Sequence, residues 1–101
     1  MLTLIAYLKA KPEKREALQK VLSGFVAPTR REPGCLEYQL HRSADDPDVF
    51  MFYEIWQSRE ILDEHLKMPY LSDFWERRLD YLEGDVELRF FNMLSELPTT
   101  R

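Results

Sequence analysis

Val49-Phe-Met-Phe-Tyr-Glu-Ile-Trp56 is the stretch of sequence that decides the fold. Side chains on a strand alternate between faces, so it splits into Val49, Met51, Tyr53 and Ile55 on one side and Phe50, Phe52, Glu54 and Trp56 on the other. Both sets are mostly apolar, and a strand of this kind has to be covered on both faces. Upstream of it, Cys35 to Arg42 reads as a second strand, with the polar loop 43–48 between the two. Strand, short polar loop, strand is the pattern of a hairpin. Pro33-Gly34 supplies a turn just ahead of it.

Working outward, Leu2 to Lys9 is rich in β-formers and predicts a first strand. Lys11-Pro12-Glu13 opens a helix, because proline is welcome at the first helical position and glutamate suits the positive N-terminal end. Leu18, Val21, Leu22 and Phe25 then form one apolar stripe at helical spacing. Pro28 is expected to kink or end that helix, with a further turn through Arg30 and Arg31 allowed. Past the hairpin, Ser58 can cap a second helix carrying Ile61, Leu62, His65 and Leu66 on one face. Pro69 breaks that helix and restarts it, with Leu71, Phe74, Trp75, Arg78, Leu79 and Leu82 recurring along the second segment. Gly84 suits its C-terminal cap. The last strand is expected over residues 86–93, with residues 95–101 as a C-terminal tail.

The order β-α-β-β-α-β predicts one ferredoxin-like α+β domain over residues 1–94, a four-stranded antiparallel sheet with helices on one face. Two helices cover only one face of such a sheet. The other would expose an apolar patch well above the roughly 300–600 Å² usual for a monomer. A homodimer packed sheet to sheet is therefore expected. The alternative is a monomer whose tail folds back over the sheet.

At 101 residues, 45% hydrophobic and 32% charged, the composition is that of a soluble globular domain. A net charge of −4 with scattered basic residues gives no footprint for nucleic acid or an anionic membrane. The apolar N-terminal run is too short for a signal peptide or a membrane span, and the single cysteine, Cys35, forms no intrachain disulfide, so a cytoplasmic location is expected. Three widely separated glycines exclude a dinucleotide fingerprint or a phosphate loop. His41 and His65 lie on different elements, so no metal site is expected and no cofactor is implied.

His65 is the residue with chemistry to offer. It aligns with Ile61 and Leu62 and should point at the sheet, either as a hydrogen-bonded core histidine or as a general base in an apolar pocket. Tyr53, Trp56, Tyr70, Phe74 and Trp75 either line an aromatic cavity between sheet and helices or belong to plain core. Tyr38 and Arg89 are weaker candidates for the lining, with Cys35 a small buried side chain.

Residues 33–43 (Pro-Gly-Cys-Leu-Glu-Tyr-Gln-Leu-His-Arg-Ser), 46–50, 53–58 (Tyr-Glu-Ile-Trp-Gln-Ser), 63–66 (Asp-Glu-His-Leu) and 68–70 (Met-Pro-Tyr), in this order and spacing, resemble the antibiotic biosynthesis monooxygenase domain family. The resemblance covers about residues 2–94. It implies a dimeric α/β barrel and a small oxygenase that acts on quinols, anthrones and related polyketide aromatics with O₂, without flavin, haem or metal. His65 matches the histidine that many members carry in this helix, which turns the reading of that residue toward a catalytic role. Trp56 matches the aromatic ending the third strand. Tyr70 stands where many relatives have a second histidine. Haem-degrading relatives carry other residues at three key positions, so that activity is disfavoured. A non-oxidative isomerase of a small carbonyl metabolite and a non-catalytic ligand-binding module remain alternatives on the same fold.

Overall fold

The computed structural model describes residues 1–98. The strands are β1 (Leu2–Lys9), β2 (Cys35–Arg42), β3 (Val49–Trp56) and β4 (Glu87–Asn92). They form one antiparallel sheet in the order β2-β3-β1-β4. With helices in both β-α-β connections, this is the ferredoxin-like α+β arrangement expected from the sequence. The four-stranded sheet is open, with β2 and β4 as its edges.

The first helical connection is divided earlier than Pro28. A 3₁₀ turn (Pro12–Lys14) leads into α1 (Arg15–Ser23), and a short α2 (Val26–Arg30) follows after Gly24 and Phe25. Pro28 lies in the first turn of α2, where its missing N–H has no intrahelical acceptor to lose, so the chain continues through it. The second connection breaks at Pro69 as expected, into α3 (Arg59–Leu66) and α4 (Pro69–Tyr81). Ser58 caps α3 by accepting from the Ile61 N–H at 3.2 Å. Gly84 does not cap α4. Instead Leu82 turns extended, bridges Ala10 and buries its own side chain, which ends the helix two residues sooner. Leu79 points outward and is exposed.

Register decides what each face carries. On the helix side one cross-strand row is Tyr38–Glu54–Leu4–Phe90, and the next is Leu40–Phe52–Ala6–Leu88. Tyr38, Leu4, Phe52 and Ala6 of these rows build the core with Trp56, Phe50, Leu8, Leu18, Leu22, Phe25 and Leu62, while Phe90 at the edge stays 38% exposed. On the other side the rows are Gln39–Tyr53–Ile5–Arg89 and His41–Met51–Tyr7–Glu87. Among the described residues no helix covers this second face, and Tyr7 is 38% and Phe91 48% exposed there.

A turn fixes how α3 meets the sheet. Gly34 has φ of +85°, a conformation other residues rarely adopt, and its Cα lies against Ile61 of α3. A Cβ built there would sit 2.7 Å from two Ile61 side-chain carbons. Gly34→Ala is therefore expected to lose about 1–3 kcal/mol of stability in urea denaturation. Adding Ile61→Ala should recover the steric part of that loss but not the backbone part. A Gly34→Ala protein as stable as wild type would show the turn to be unstrained.

Candidate active site

His65 projects from α3 onto the sheet and is 2% exposed. Its ring lies over the Trp56 indole with centroids 4.5 Å apart and planes 32° apart. Tyr38 meets it edge-on at 5.7 Å. The imidazole is thus held by packing on two sides before any hydrogen bond is considered.

The hydrogen bonds set its tautomer. Glu32, in the connection between α2 and β2, presents Oε2 to His65 Nδ1 at 2.9 Å. The same oxygen accepts the Tyr70 hydroxyl proton. An oxygen already accepting from Tyr70 receives rather than gives at the imidazole, so Nδ1 carries the proton and Nε2 is left as the basic nitrogen. Tyr70 has spent its proton on Glu32, so the 2.8 Å contact with the fully buried Thr29 has the threonine hydroxyl donating. Four residues from α2, its following loop, α3 and α4 thereby meet in one network. Such an arrangement, a base oriented by a hydrogen-bonded carboxyl, is the general form of an activated histidine.

Burial pulls the His65 pKa below its ordinary 6.5, opposed by the hydrogen bond and charge of Glu32. Burial likewise pushes the hydroxyls of Tyr38 and Tyr70 far above their usual range, so both remain phenols. Cys35 is pushed up to about 11 by burial, with Glu54 and Glu32 adding to it, and is a poor nucleophile.

Beside His65 lies a cavity of about 40 Å³. Its walls are mostly aliphatic and aromatic, including Leu4, Leu22, Phe25, Phe52, Leu71 and Phe74. Among the described residues only His65, Tyr38 and Glu54 bring hydrogen-bonding side chains there, apart from the indole of Trp75. The space holds little more than a water molecule, so an aromatic ring enters only if the walls move. The partly exposed Trp75 and Val86 belong to that wall. Arg78 bonds the Trp75 carbonyl at 2.5 Å and Asp85, next to Val86, at 2.6 Å, tying the two sides together.

The site candidates separate clearly. His65, Tyr38, Phe74 and Trp75 line the cavity. Trp56 lies beneath the imidazole and Tyr70 holds Glu32 from behind. Tyr53 and Arg89 do not join them. They share a row on the opposite sheet face, where Arg89 pairs with Glu87 at 2.8 Å and lies over the Tyr7 ring. Sequence reasoning missed Thr29, Glu32 and Glu54. Nothing local marks the first two, but Glu54 is a carboxyl at an inward position of an apolar strand, and that parity is a usable signal. Among the described residues no group of three or more His, Cys, Asp or Glu is placed to hold a metal, and no helix is long and apolar enough to cross a membrane.

The fold and site define a ferredoxin-like α+β domain with a buried, carboxyl-oriented imidazole at an apolar cavity. A family model described as antibiotic biosynthesis monooxygenase matches residues 1–77, and the chain belongs to that family. The crystal structure of PA3566 from Pseudomonas aeruginosa is 34% identical, with a TM-score of 0.87 over 93% of this chain and 94% of that one. The structure of Rv0793 from Mycobacterium tuberculosis is 31% identical, with a TM-score of 0.89 over 96% and 98%. The uncharacterized protein sll1783 of Synechocystis is 33% identical over 86 residues, which are 85% of this chain and 58% of that protein.

The His65 reading has a pH signature. A folded-state pKa below the ordinary value means the unfolded chain binds that proton more readily, so stability is full above about 6.5 and is lost as pH falls below it. In an NMR titration the His65 ring signal should reach its midpoint below 6.5. Glu32→Gln should move that midpoint lower still, because the charge supporting the imidazolium is gone. A midpoint at or above 6.5 in wild type would contradict the burial argument.

Proposed function

We propose that the chain is a cofactor-independent monooxygenase that oxidises a quinol-like or polyketide-type aromatic with O₂, using His65 as base. The observation that carries this reading is the Glu32–His65 hydrogen bond beside an apolar cavity. An oriented neutral imidazole can take a proton from an acidic phenol or an activated ring methylene, while Glu32 supports the imidazolium that results. The resulting anion is electron-rich enough to pass one electron to O₂. Recombination of the radical pair at a ring carbon forms a hydroperoxide. For a methylene, loss of water from that hydroperoxide leaves a carbonyl, so CH₂ and O₂ become C=O and H₂O. The protein contributes the base, the orientation and a site from which water is largely excluded. Family membership supports the oxygenase reading over a carbonyl isomerase, in which the same base would move a proton between carbons.

Oxygen uptake with product mass on a panel of quinols and anthrones tests this, against a no-enzyme control and after chelation. Wild type should exceed the background rate. His65→Ala should lose about 10²–10⁴-fold, and Glu32→Gln about 10-fold, with folding checked by circular dichroism. Uptake at the background rate for every compound would remove the oxygenase reading, and turnover that persists without oxygen would install the isomerase in its place.

The assembly proposed is a homodimer through the sheet face bearing Ile5, Tyr7, Met51, Tyr53 and Phe91, which no helix among the described residues covers. These side chains lie on adjacent strands of one sheet face and form a continuous patch, not scattered single residues. Light scattering should give twice the chain mass of 12.1 kDa. Tyr53→Glu, at the centre of that face, should yield monomers. A wild-type mass of one chain would refute it. A cytoplasmic location is proposed on the single protonated thiol, which suits a reducing compartment.

A further inference from the structure

Glu54 is the group in the cavity that the base mechanism leaves unused. It is 4% exposed and lies on β3 between Tyr38 and Leu4 in the row beneath His65. Its Oε1 accepts the Trp56 indole N–H at 2.9 Å, and that indole in turn stacks on His65. Glu54 has no other hydrogen-bond partner among the described residues, so Oε2 is left for whatever occupies the cavity. A buried carboxyl with one free oxygen in an apolar pocket is costly unless something makes use of it.

We propose that Glu54, carrying its proton, donates a hydrogen bond to the substrate oxygen that gains charge as His65 removes a proton, so that the site takes uncharged phenols, quinols or enols and rejects carboxylated ones. This rests on His65 being the base. The substrate proton goes to His65 Nε2, the electron pair stays on the substrate oxygen, and the Glu54 proton stays on Glu54. Donors preorganised toward a developing oxyanion in a dry site are among the strongest devices available to an enzyme.

The surroundings favour the protonated acid. Burial pushes Glu54 up to about 7, with the Trp56 hydrogen bond lowering it and the nearby Glu32 raising it further. The titratable groups around it are Tyr38 and Cys35 from β2, Glu32 from the loop before β2 and His65 from α3; β1 faces it with Leu4, which does not titrate. Among the described residues no lysine or arginine lines the cavity. An anionic substituent would therefore give up its hydration among apolar walls with no lysine or arginine to offset the loss, whereas a neutral phenol meets one donor and one acceptor. Above about 7 the donor is lost and the ionised Glu54 repels the substrate anion.

Binding measured without oxygen separates this proposal from the oxygenase reading. The probes are a naphthol and the hydroxynaphthoic acid of the same ring, followed by calorimetry and by the phenolate absorbance band. Wild type should bind the naphthol with a phenolate-shifted spectrum, about 10-fold more tightly at about pH 6 than at about pH 8.5. The carboxylated probe should bind at least about 10-fold more weakly. Glu54→Gln keeps an N–H donor and cannot ionise, so its affinity should be level across that range. Glu54→Leu should lose about 10-fold or more at the lower pH. Equal affinity of Glu54→Leu and wild type, equal affinity for the two probes, or no naphthol binding by wild type would each overturn the proposal. Absence of oxygen uptake would leave these results standing.

Discussion

One oxygen atom organises the site. Glu32 Oε2 receives the imidazole N–H of His65 and the hydroxyl of Tyr70, and so joins the loop before β2, helix α3 and helix α4 above Trp56. Hydrogen bonds to a carboxyl in a poorly hydrated setting are each worth about 1.5–3 kcal/mol, and losing one partner leaves the others unsatisfied. The position of Glu32 depends on the turn that follows it. Gly34 in its left-handed conformation lets the chain reverse against Ile61, and the Cys35 N–H returns to the Glu32 carbonyl at 3.2 Å. A constraint on one glycine is thus passed to the tautomer of a histidine.

The site is paid for in stability. Trp56, fully buried, and its apolar neighbours supply the burial, about 1.5–3 kcal/mol for each large side chain taken out of water. Against this stand His65 and Glu54, two ionisable side chains almost wholly removed from solvent. Glu54 has a raised pKa, so below about 4.5 both folded and unfolded chains hold the proton and nothing is lost. As pH rises toward 7 the unfolded chain ionises first, and stability declines through that window. His65 acts in the opposite sense, weakening the fold on the acid side. A protein with no use for these groups would gain by replacing them with leucine, which is the physical reason to assign them work.

The two faces of the sheet divide the roles of the aromatic residues. Strand parity sends Trp56 and Phe52 toward the helices and Tyr53 away from them, a split visible in the sequence of β3 alone. Arg89 follows the same rule from β4. Grouping Tyr53 and Arg89 with the cavity residues weighed residue type over parity, and the sheet register separates them by placing both in the row with Ile5 and Gln39. Parity also puts Glu54 on the same side of β3 as Trp56, and the register and burial show that side to be the inner one.

By itself, the sequence determined the order of strands and helices, the two-faced sheet, the break at Pro69 and the direction in which His65 points. These are short-range properties: alternation along a strand, spacing along a helix, and the missing N–H of proline. Only the tertiary structure decided that Glu32 and Thr29 serve His65 and Tyr70, and that α4 ends where Leu82 bridges Ala10. Those partners lie 33 and 41 residues apart along the chain, and no local pattern encodes which polar side chain of a loop will meet which helix. Packing settles it, because once α3 and α4 lie on the sheet a buried imidazole must find a partner nearby, and Glu32 is where the turn at Gly34 delivers one.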